Sequence, residues 1–139
     1  MEREQAIKFM LDLLKLMRQK SASDLFITVG FPPAMKIDGK VTPVSKQDLT
    51  PQNCKALTYA IMNDKQLKEF EATKECNFAV SPPGIGRYRA NAFIQQNNPG
   101  LVMRTIAAEI PNIDDLGLPE VLKDVVMTKN GLVIMVGGT

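Results

Sequence analysis

The stretch Gly131-Leu-Val-Ile-Met-Val-Gly-Gly-Thr139 gives the clearest indication of fold class in this sequence. Its five consecutive apolar residues stop at paired glycines, which predicts a strand buried on both faces, as in a parallel sheet. A glycine pair after such a strand is also how a phosphate-binding loop begins, because backbone N–H groups can approach an anion with no Cβ in the way. Taken alone, such a run is more often an apolar strand followed by an ordinary glycine turn.

The phosphate-loop interpretation depends on the residues that would follow this stretch. The full pattern is G-x-x-x-x-G-K-[ST], and the sequence stops at Thr139, before the second glycine, the lysine and the final hydroxyl residue. One strand without a partner of its own kind and without a following helix is half of a structural unit. We therefore expect a fragment cut inside such a loop, with Gly137, Gly138 and Thr139 as its nucleotide-binding residues.

Composition limits the class of protein. The 139 residues, 45% of them apolar, suffice for one domain with a core and the beginning of a second. The formal net charge of +2 is too small to indicate a nucleic-acid partner. The absence of histidine removes His-based acid–base chemistry and most zinc sites. Cys54 and Cys76 form no metal motif and are predicted to be buried free thiols in a reducing cytosol.

The first half of the chain predicts a mixture of helix and antiparallel strand. Residues 4–19 carry apolar side chains at the helical period of 3.6 and predict an amphipathic helix. A strand is predicted over residues 25–29, and a hairpin over residues 34–44. The hairpin prediction depends on Asp38-Gly39, because this pair supplies the two positive φ angles of a tight type I′ turn.

Helices and strands alternate again in the following segment. Thr50-Pro51 predicts a helix start, with a hydroxyl at the N-cap and proline at the first helical position. Asn63-Asp64 separates this helix from a second one. Three strands are then predicted over residues 76–80, 87–94 and 101–106, and the last two form a hairpin.

The predicted hairpin carries arginines at alternating positions. If the loop over residues 95–100 closes symmetrically, Asn91 faces Arg104, and Arg89 and Arg104 become diagonal neighbours on one face. A slip of one residue would move Arg104 to the opposite face. Two such charges repel unless an anion lies between them, and a guanidinium fork matches phosphate oxygens. The alternative for any single arginine is solvated surface charge.

The predicted fold class is α+β, with an antiparallel sheet and packed helices over residues 1–108. A linker rich in proline, aspartate and glycine follows over residues 109–118. Residues 119–139 are predicted to be the first helix and strand of a RecA-like P-loop core, cut within its Walker A loop.

Several spaced motifs together resemble a known family. They are Ser23-Asp-Leu-Phe-Ile27, Pro32-Pro33 with Asp38-Gly39, Gly86-Arg-Tyr-Arg-Ala-Asn-Ala-Phe93, Leu116-Gly-Leu-Pro119 and the final stretch from Gly131. The sequence is similar to the secretion-type ATPases of type II and type IV systems, in the pilus-retraction (twitching motility) branch that contains PilT and PilU. The Val136-Gly-Gly-Thr139 ending favours the PilU type. The resemblance covers nearly the whole chain.

The resemblance implies a hexameric cytoplasmic motor with a PAS-like N-terminal domain and a RecA-like ATPase domain, which uses ATP and Mg²⁺. Its partners would be a platform protein of the inner membrane, where the motor docks peripherally, and a paralogous retraction ATPase. Arg89 and Arg104 would be arginine fingers, with Arg87 in support. The family's Walker A lysine and Walker B acid would lie beyond Thr139, so this chain alone is expected to hold no cofactor and to be inactive.

Two other classes of function stay open from the sequence. A PAS-like module could hold a small ligand in its core, although no haem or flavin ligand is evident. An interaction domain without any nucleotide role would leave the three arginines as solvated charges.

Overall fold

The computed structural model describes residues 1–138 and divides the chain into two compact units, Met1–Ala108 and Glu109–Thr139. Thr139, one of the three predicted nucleotide-binding residues, lies outside the described residues.

The first unit combines helices with an antiparallel sheet, which confirms the predicted α+β class. In chain order its elements are α1 (Arg3–Gln19), β1 (Asp24–Ile27), β2 (Ala34–Ile37), β3 (Lys40–Pro43), α2 (Pro51–Ala60), α3 (Asp64–Thr73), β4 (Glu75–Val80), β5 (Arg87–Gln95) and β6 (Asn98–Ile106).

Local sequence signals account for the boundaries of several elements. The Thr50 hydroxyl accepts a hydrogen bond from the Asn53 N–H at 3.2 Å, which caps α2 as predicted. Asn63 caps α3 through a reciprocal pair of bonds with Gln66, at 2.9 and 3.0 Å. Asp38 and Gly39 have φ angles of 49° and 77°, so the predicted tight turn between β2 and β3 is confirmed.

The six strands form one sheet in the order β3-β2-β1-β6-β5-β4, with antiparallel pairing throughout. Only one of these neighbouring pairs, β1 with β6, joins the beginning of the unit to its end. The β1–β6 pair therefore joins the two halves of the open sheet and brings the segment Ser23-Asp-Leu-Phe-Ile27 against the predicted arginine hairpin.

Alternation along the strands gives the sheet two different faces. The covered face lies in the core and carries buried apolar side chains, including Leu25, Met103, Ala90 and Phe78 in one row across four strands. Helix α1 adjoins this face, because the Tyr88 hydroxyl donates to the Leu14 carbonyl oxygen at 2.9 Å. The open face is the opposite face, and its residues on the four strands β1, β6, β5 and β4 include Asp24, Phe26, Val102, Arg104, Arg89, Asn91, Phe93, Asn77 and Ala79.

The second unit contains little regular structure. A 3₁₀ turn (Ile113–Leu116) precedes the short helix α4 (Val121–Val126), which lies near the beginning of the segment 119–139 that was predicted to start with a helix. The strand predicted for the final apolar run is not formed in the described residues, because residues 132–138 have no strand pairing and residues 132–136 are 56–93% exposed. A strand exists through hydrogen bonds to a neighbouring strand, and none is available within the described part of this unit, residues 109–138.

Candidate functional site

The turn between β5 and β6 sets the register of the predicted site. Gln96 and Asn97 form a two-residue turn with φ angles of 49° and 62°, and the residues that flank it pair directly. The symmetric six-residue loop is therefore wrong, and Arg104 lies opposite Arg89 rather than Asn91. Because the displacement is two residues, each side chain keeps its face. The prediction that Arg89 and Arg104 share a face is confirmed, and they are closer than expected.

Charged side chains form a row across four strands of the sheet. In order across β2, β1, β6 and β5, this charged row is Lys36, Asp24, Arg104 and Arg89. The next residue in line, on β4, is Ala79. The row thus holds three cations and one carboxylate, and its last two members are like charges directly opposite each other. Such a pair is destabilising unless a counter-charge lies near it.

Asp24 is buried, with 5% of its surface exposed, and both its oxygens have partners. Arg104 donates from Nε to Oδ1 at 3.0 Å, and the Ser23 hydroxyl donates to Oδ2 at 2.8 Å. The Arg104 side chain is itself 73% exposed. Within residues 1–138 its terminal Nη atoms make no hydrogen bond, so they remain available to a ligand.

The environment of Asp24 favours its ionised form. Burial alone would raise the pKa of this carboxyl group. The hydrogen bonds from Ser23 and Arg104, together with the positive charges of Arg104 and Lys36, outweigh burial and lower the pKa of Asp24 below its ordinary value. The carboxylate is therefore a fixed negative charge beneath the Arg104 guanidinium at neutral pH.

Arg89 and Arg104 line a shallow depression of about 230 Å³ on the open face. Its other lining residues are Asp24, Asn77, Asn91 and Val102. Arg89 is exposed and has no ion pair or hydrogen bond to another side chain in the part of the chain that the structure describes. Two guanidinium groups with unused donors beside a polar depression fit a phosphate-type anion in charge and in hydrogen-bonding capacity.

The structure does not bring the remaining predicted site residues into this depression. Arg87 shares the face of Arg89 but pairs with Ile106, two residues further along the strand, and does not line the depression. Gly137 and Gly138 belong to the second unit, where no described residue packs against them.

Asp24 is a site residue that the sequence analysis missed. A charged residue at the start of an apolar strand gives little indication of its role, because the β1–β6 pairing that places it beside Arg104 spans most of the unit. The one usable signal was indirect, since two predicted neighbouring arginines require a carboxylate or another anion close by.

Neither the cysteines nor the possible metal ligands among the described residues form a second candidate site. Cys54 and Cys76 are free and buried as predicted, and burial raises the pKa of the Cys54 thiol to about 11, which disfavours the reactive thiolate. Among residues 1–138 no three His, Cys, Asp or Glu side chains are placed to hold a metal ion. None of the helices there combines the length and the apolar character that a membrane crossing requires.

Comparison with known proteins identifies relatives along most of the chain. No protein-family profile matches it. It is 50% identical to the type IV pilus ATPase PilU of Pseudomonas aeruginosa over 127 residues, which are 91% of this chain and 33% of PilU. It is 40% identical to the type IV pilus retraction ATPase PilT of the same organism over 128 residues, 92% of this chain and 37% of PilT.

Solved structures give the same result for the fold. The pilus retraction motor PilT with bound ADP superposes with a TM-score of 0.71 at 34% identity, covering 83% of this chain and 34% of PilT. The ATPase DotB of Legionella pneumophila has a TM-score of 0.64 at 21% identity, covering 90% of this chain and 36% of DotB, and this likeness concerns the fold alone.

The fold is therefore one that occurs in solved ATPases, among them PilT and DotB. The chain is homologous to the pilus ATPases PilU and PilT, which confirms the resemblance predicted from its motifs. The mixed helix and antiparallel sheet resemble the N-terminal domain of PilT. The chain spans about one third of the length of the curated relatives that it matches.

Proposed function

We propose that this chain is the N-terminal portion of an ATPase that powers the retraction of type IV pili, and that Arg89 and Arg104 are its arginine fingers. The names of the relatives support the activity, since PilU is a pilus ATPase and PilT a retraction ATPase that has been solved with ADP. Identity of 50% with PilU over nearly the whole chain supports the same activity for the protein of which this chain is part.

The observation that carries the arginine assignment is that Arg89 and Arg104 lie directly opposite each other on neighbouring strands. The one carboxylate of the charged row, Asp24, lies between Arg104 and Lys36. Two adjacent guanidinium groups on an exposed sheet face gain stabilisation from a bound anion. The phosphate oxygens of ATP are such an anion, and their negative charge changes as the phosphoryl group is transferred. Arg87 extends the same positive face and would support the pair.

We also propose a domain assignment for this chain and a nucleotide-binding role for its last residues. Residues 1–108 are a PAS-like domain, residues 109–118 a linker, and residues 119–139 the beginning of a RecA-like core. Gly137, Gly138 and Thr139 open its phosphate-binding loop and would offer backbone N–H groups to ATP. Mg²⁺, when bound with ATP, supplies positive charge at the phosphates. Its ligands in this proposal lie outside these 139 residues, and the chain alone would not hydrolyse ATP.

We further propose that the whole protein works as a homo-hexamer in the cytoplasm, peripherally at the inner membrane. Its partners would be an inner-membrane pilus platform protein and a paralogous retraction ATPase. For these 139 residues nucleic acid is not expected as a partner, because their net charge of +2 gives little electrostatic attraction to a polyanion.

The arginine assignment is tested by substitution in the full-length protein. Arg89→Ala and Arg104→Ala should each lower ATPase turnover at saturating ATP by about 100-fold or more, the scale of losing one preorganised donor. Arg3→Ala, at the exposed start of α1, is the matched control and should leave turnover unchanged. Urea unfolding should show little change in stability for Arg89→Ala and Arg3→Ala, whereas Arg104→Ala should be less stable, because it leaves the buried Asp24 Oδ1 without its hydrogen bond. If Arg89→Ala and Arg104→Ala both kept wild-type turnover, the two arginines would be surface charges without a role in hydrolysis.

A further inference from the structure

Asp24 is the one charged side chain that is buried in the part of the chain that the structure describes. Burial of a carboxylate costs free energy unless each oxygen is paired, and here Ser23 and Arg104 supply one bond to each oxygen. The placement therefore calls for a reason beyond the ordinary packing of β1.

A gain in the stability of the fold is a weak explanation for the ion pair between Asp24 and Arg104. Arg104 is largely exposed, and ion pairs that are open to solvent are typically worth about 0–1 kcal/mol. A well-packed apolar residue at a buried position is often as stabilising as a buried ion pair, or more so. The retained carboxylate is better explained by what it does to Arg104.

The geometry of the bond determines which part of Arg104 is held. Asp24 accepts from Nε, the nitrogen nearest the side-chain stem, rather than from the terminal Nη atoms. This contact fixes the direction of the guanidinium plane and leaves its terminal nitrogens unbonded within residues 1–138, at the strand position directly opposite Arg89. A long side chain that is already fixed loses less conformational freedom when it meets a ligand.

The support beneath Asp24 is rigid. The Ser23 N–H donates to the Lys36 carbonyl oxygen at 2.9 Å, and the Thr105 N–H donates to the Ser23 carbonyl oxygen at 3.0 Å. The backbone next to Asp24 is thus bonded to the segments on both sides, β2 and β6. A group held on a central strand keeps a more exact position than one on a loop.

We propose that Asp24 is a positioning residue. With Ser23 it holds Arg104 by Nε, so that the Nη atoms stay beside Arg89 and meet a phosphate anion as a preformed pair of guanidinium groups. This inference rests on the proposed function, because it assumes that Arg104 acts on phosphate.

The test uses the full-length protein with Asp24→Asn, Arg104→Ala and the double variant. Asparagine keeps the size of the side chain and removes its charge. We expect Asp24→Asn to lower kcat about tenfold, in the range found when an orienting partner is lost, with a change in the KM for ATP below about twofold. In the Arg104→Ala background the same substitution should change kcat no further, because nothing is left to position.

Glu75→Gln is the matched control for charge. Glu75 accepts a hydrogen bond from Asn91 on the open face at 3.3 Å and bonds to neither arginine within residues 1–138. This variant removes one carboxylate from the same face and should keep wild-type turnover. If Asp24→Asn fails to fold, Ser23→Ala replaces it, and a smaller loss of kcat in the same direction is expected.

The outcomes separate the two proposals. If Arg104→Ala keeps wild-type turnover, both the finger assignment and the positioning role are overturned. If Arg104→Ala is impaired but Asp24→Asn is not, only the positioning role fails. It also fails if Asp24→Asn lowers kcat by the same factor with and without Arg104, because that result describes a structural role.

Discussion

The β5–β6 hairpin and the run over residues 131–138 are both rich in apolar residues, yet their environments are opposite. In the hairpin, Tyr88, Leu101 and Met103 are at most 1% exposed, whereas residues 132–136 are 56–93% exposed. Each hairpin strand has a neighbour on both sides, since β5 lies between β6 and β4, and β6 between β1 and β5. The run has no paired neighbour in residues 109–138. Apolar pattern thus indicates a tendency, and pairing decides whether a strand forms.

The same difference separates the two halves of the predicted site. Arg89 and Arg104 have a defined spacing, because they project from paired strands in a fixed register. Gly137 and Gly138 have no such framework in the second unit.

Amide hydrogen exchange should show the largest difference. Amides of residues 133–136 should exchange at nearly unprotected rates, because they take part in no ladder. Amides of residues 88–94 should be slowed by at least about 10³-fold, since they open only when much of the domain unfolds. The measurement is made on the dilute 139-residue chain, where association is minimal. Equal protection of the two segments would contradict the contrast.

A matched pair of leucines should show the next largest difference. Leu101→Ala empties a fully buried position on β6 and should lower the free energy of unfolding by about 2–5 kcal/mol. Leu132→Ala, at a position that is 83% exposed, should change it by less than about 0.5 kcal/mol. Urea unfolding followed by circular dichroism measures both. Similar losses for the two variants would mean that the run is packed after all.

A single hydroxyl in the hairpin gives a smaller effect. Tyr88→Phe removes the buried hydrogen bond to the Leu14 carbonyl oxygen and should lower the free energy of unfolding by about 1 kcal/mol. Tyr59→Phe is the control, because the Tyr59 ring packs edge-on against Phe70 and its packing is retained. The prediction is wrong if the control is as destabilised as Tyr88→Phe.

The smallest effect concerns pH and Asp24. The pKa of Asp24 is lowered in the folded protein from its ordinary value of 3.8, so folding favours the carboxylate. The stabilisation that the ionised Asp24 gives to the folded state is complete at pH values above 3.8 and is lost as the pH falls through the lower pKa of the folded state. The difference in unfolding free energy between wild type and Asp24→Asn should therefore shrink as the pH falls below about 4, from at most about 1 kcal/mol. A difference that grows in acid would contradict the lowered pKa.

Local features of the fold could be predicted from the sequence, because they depend on a few neighbouring residues. The Asp38-Gly39 turn, the cap at Thr50 and the break between two helices at Asn63-Asp64 are such features. The register of the β5–β6 hairpin was missed by two residues, because the turn lies at Gln96 and Asn97 instead of across a wide loop. Asparagine tolerates positive φ, so this signal was present in the sequence.

Long-range pairing explains the other failures. Nothing local indicates that β1 pairs with β6, so the contact of Asp24 with Arg104 had no sequence signal of its own. The final apolar run was predicted as a strand on hydrophobicity alone, without a neighbour to pair with. The assignments of Arg87, Arg89, Arg104, Gly137, Gly138 and Thr139 to ATP stay predictions.

The β1–β6 pairing has a consequence for how the chain is made. Asp24 and Arg104 are 80 positions apart, and a ribosome adds about 5–20 residues per second. Leu25 and Ile27 therefore emerge roughly 4–16 seconds before their partners on β6. The β2–β3 hairpin closes a short turn and forms within microseconds, so β1 can pair with β2 early but waits for β6 with its other edge unpaired. Nascent chains released before residue 98 should accordingly aggregate, whereas chains that extend past residue 106 should not.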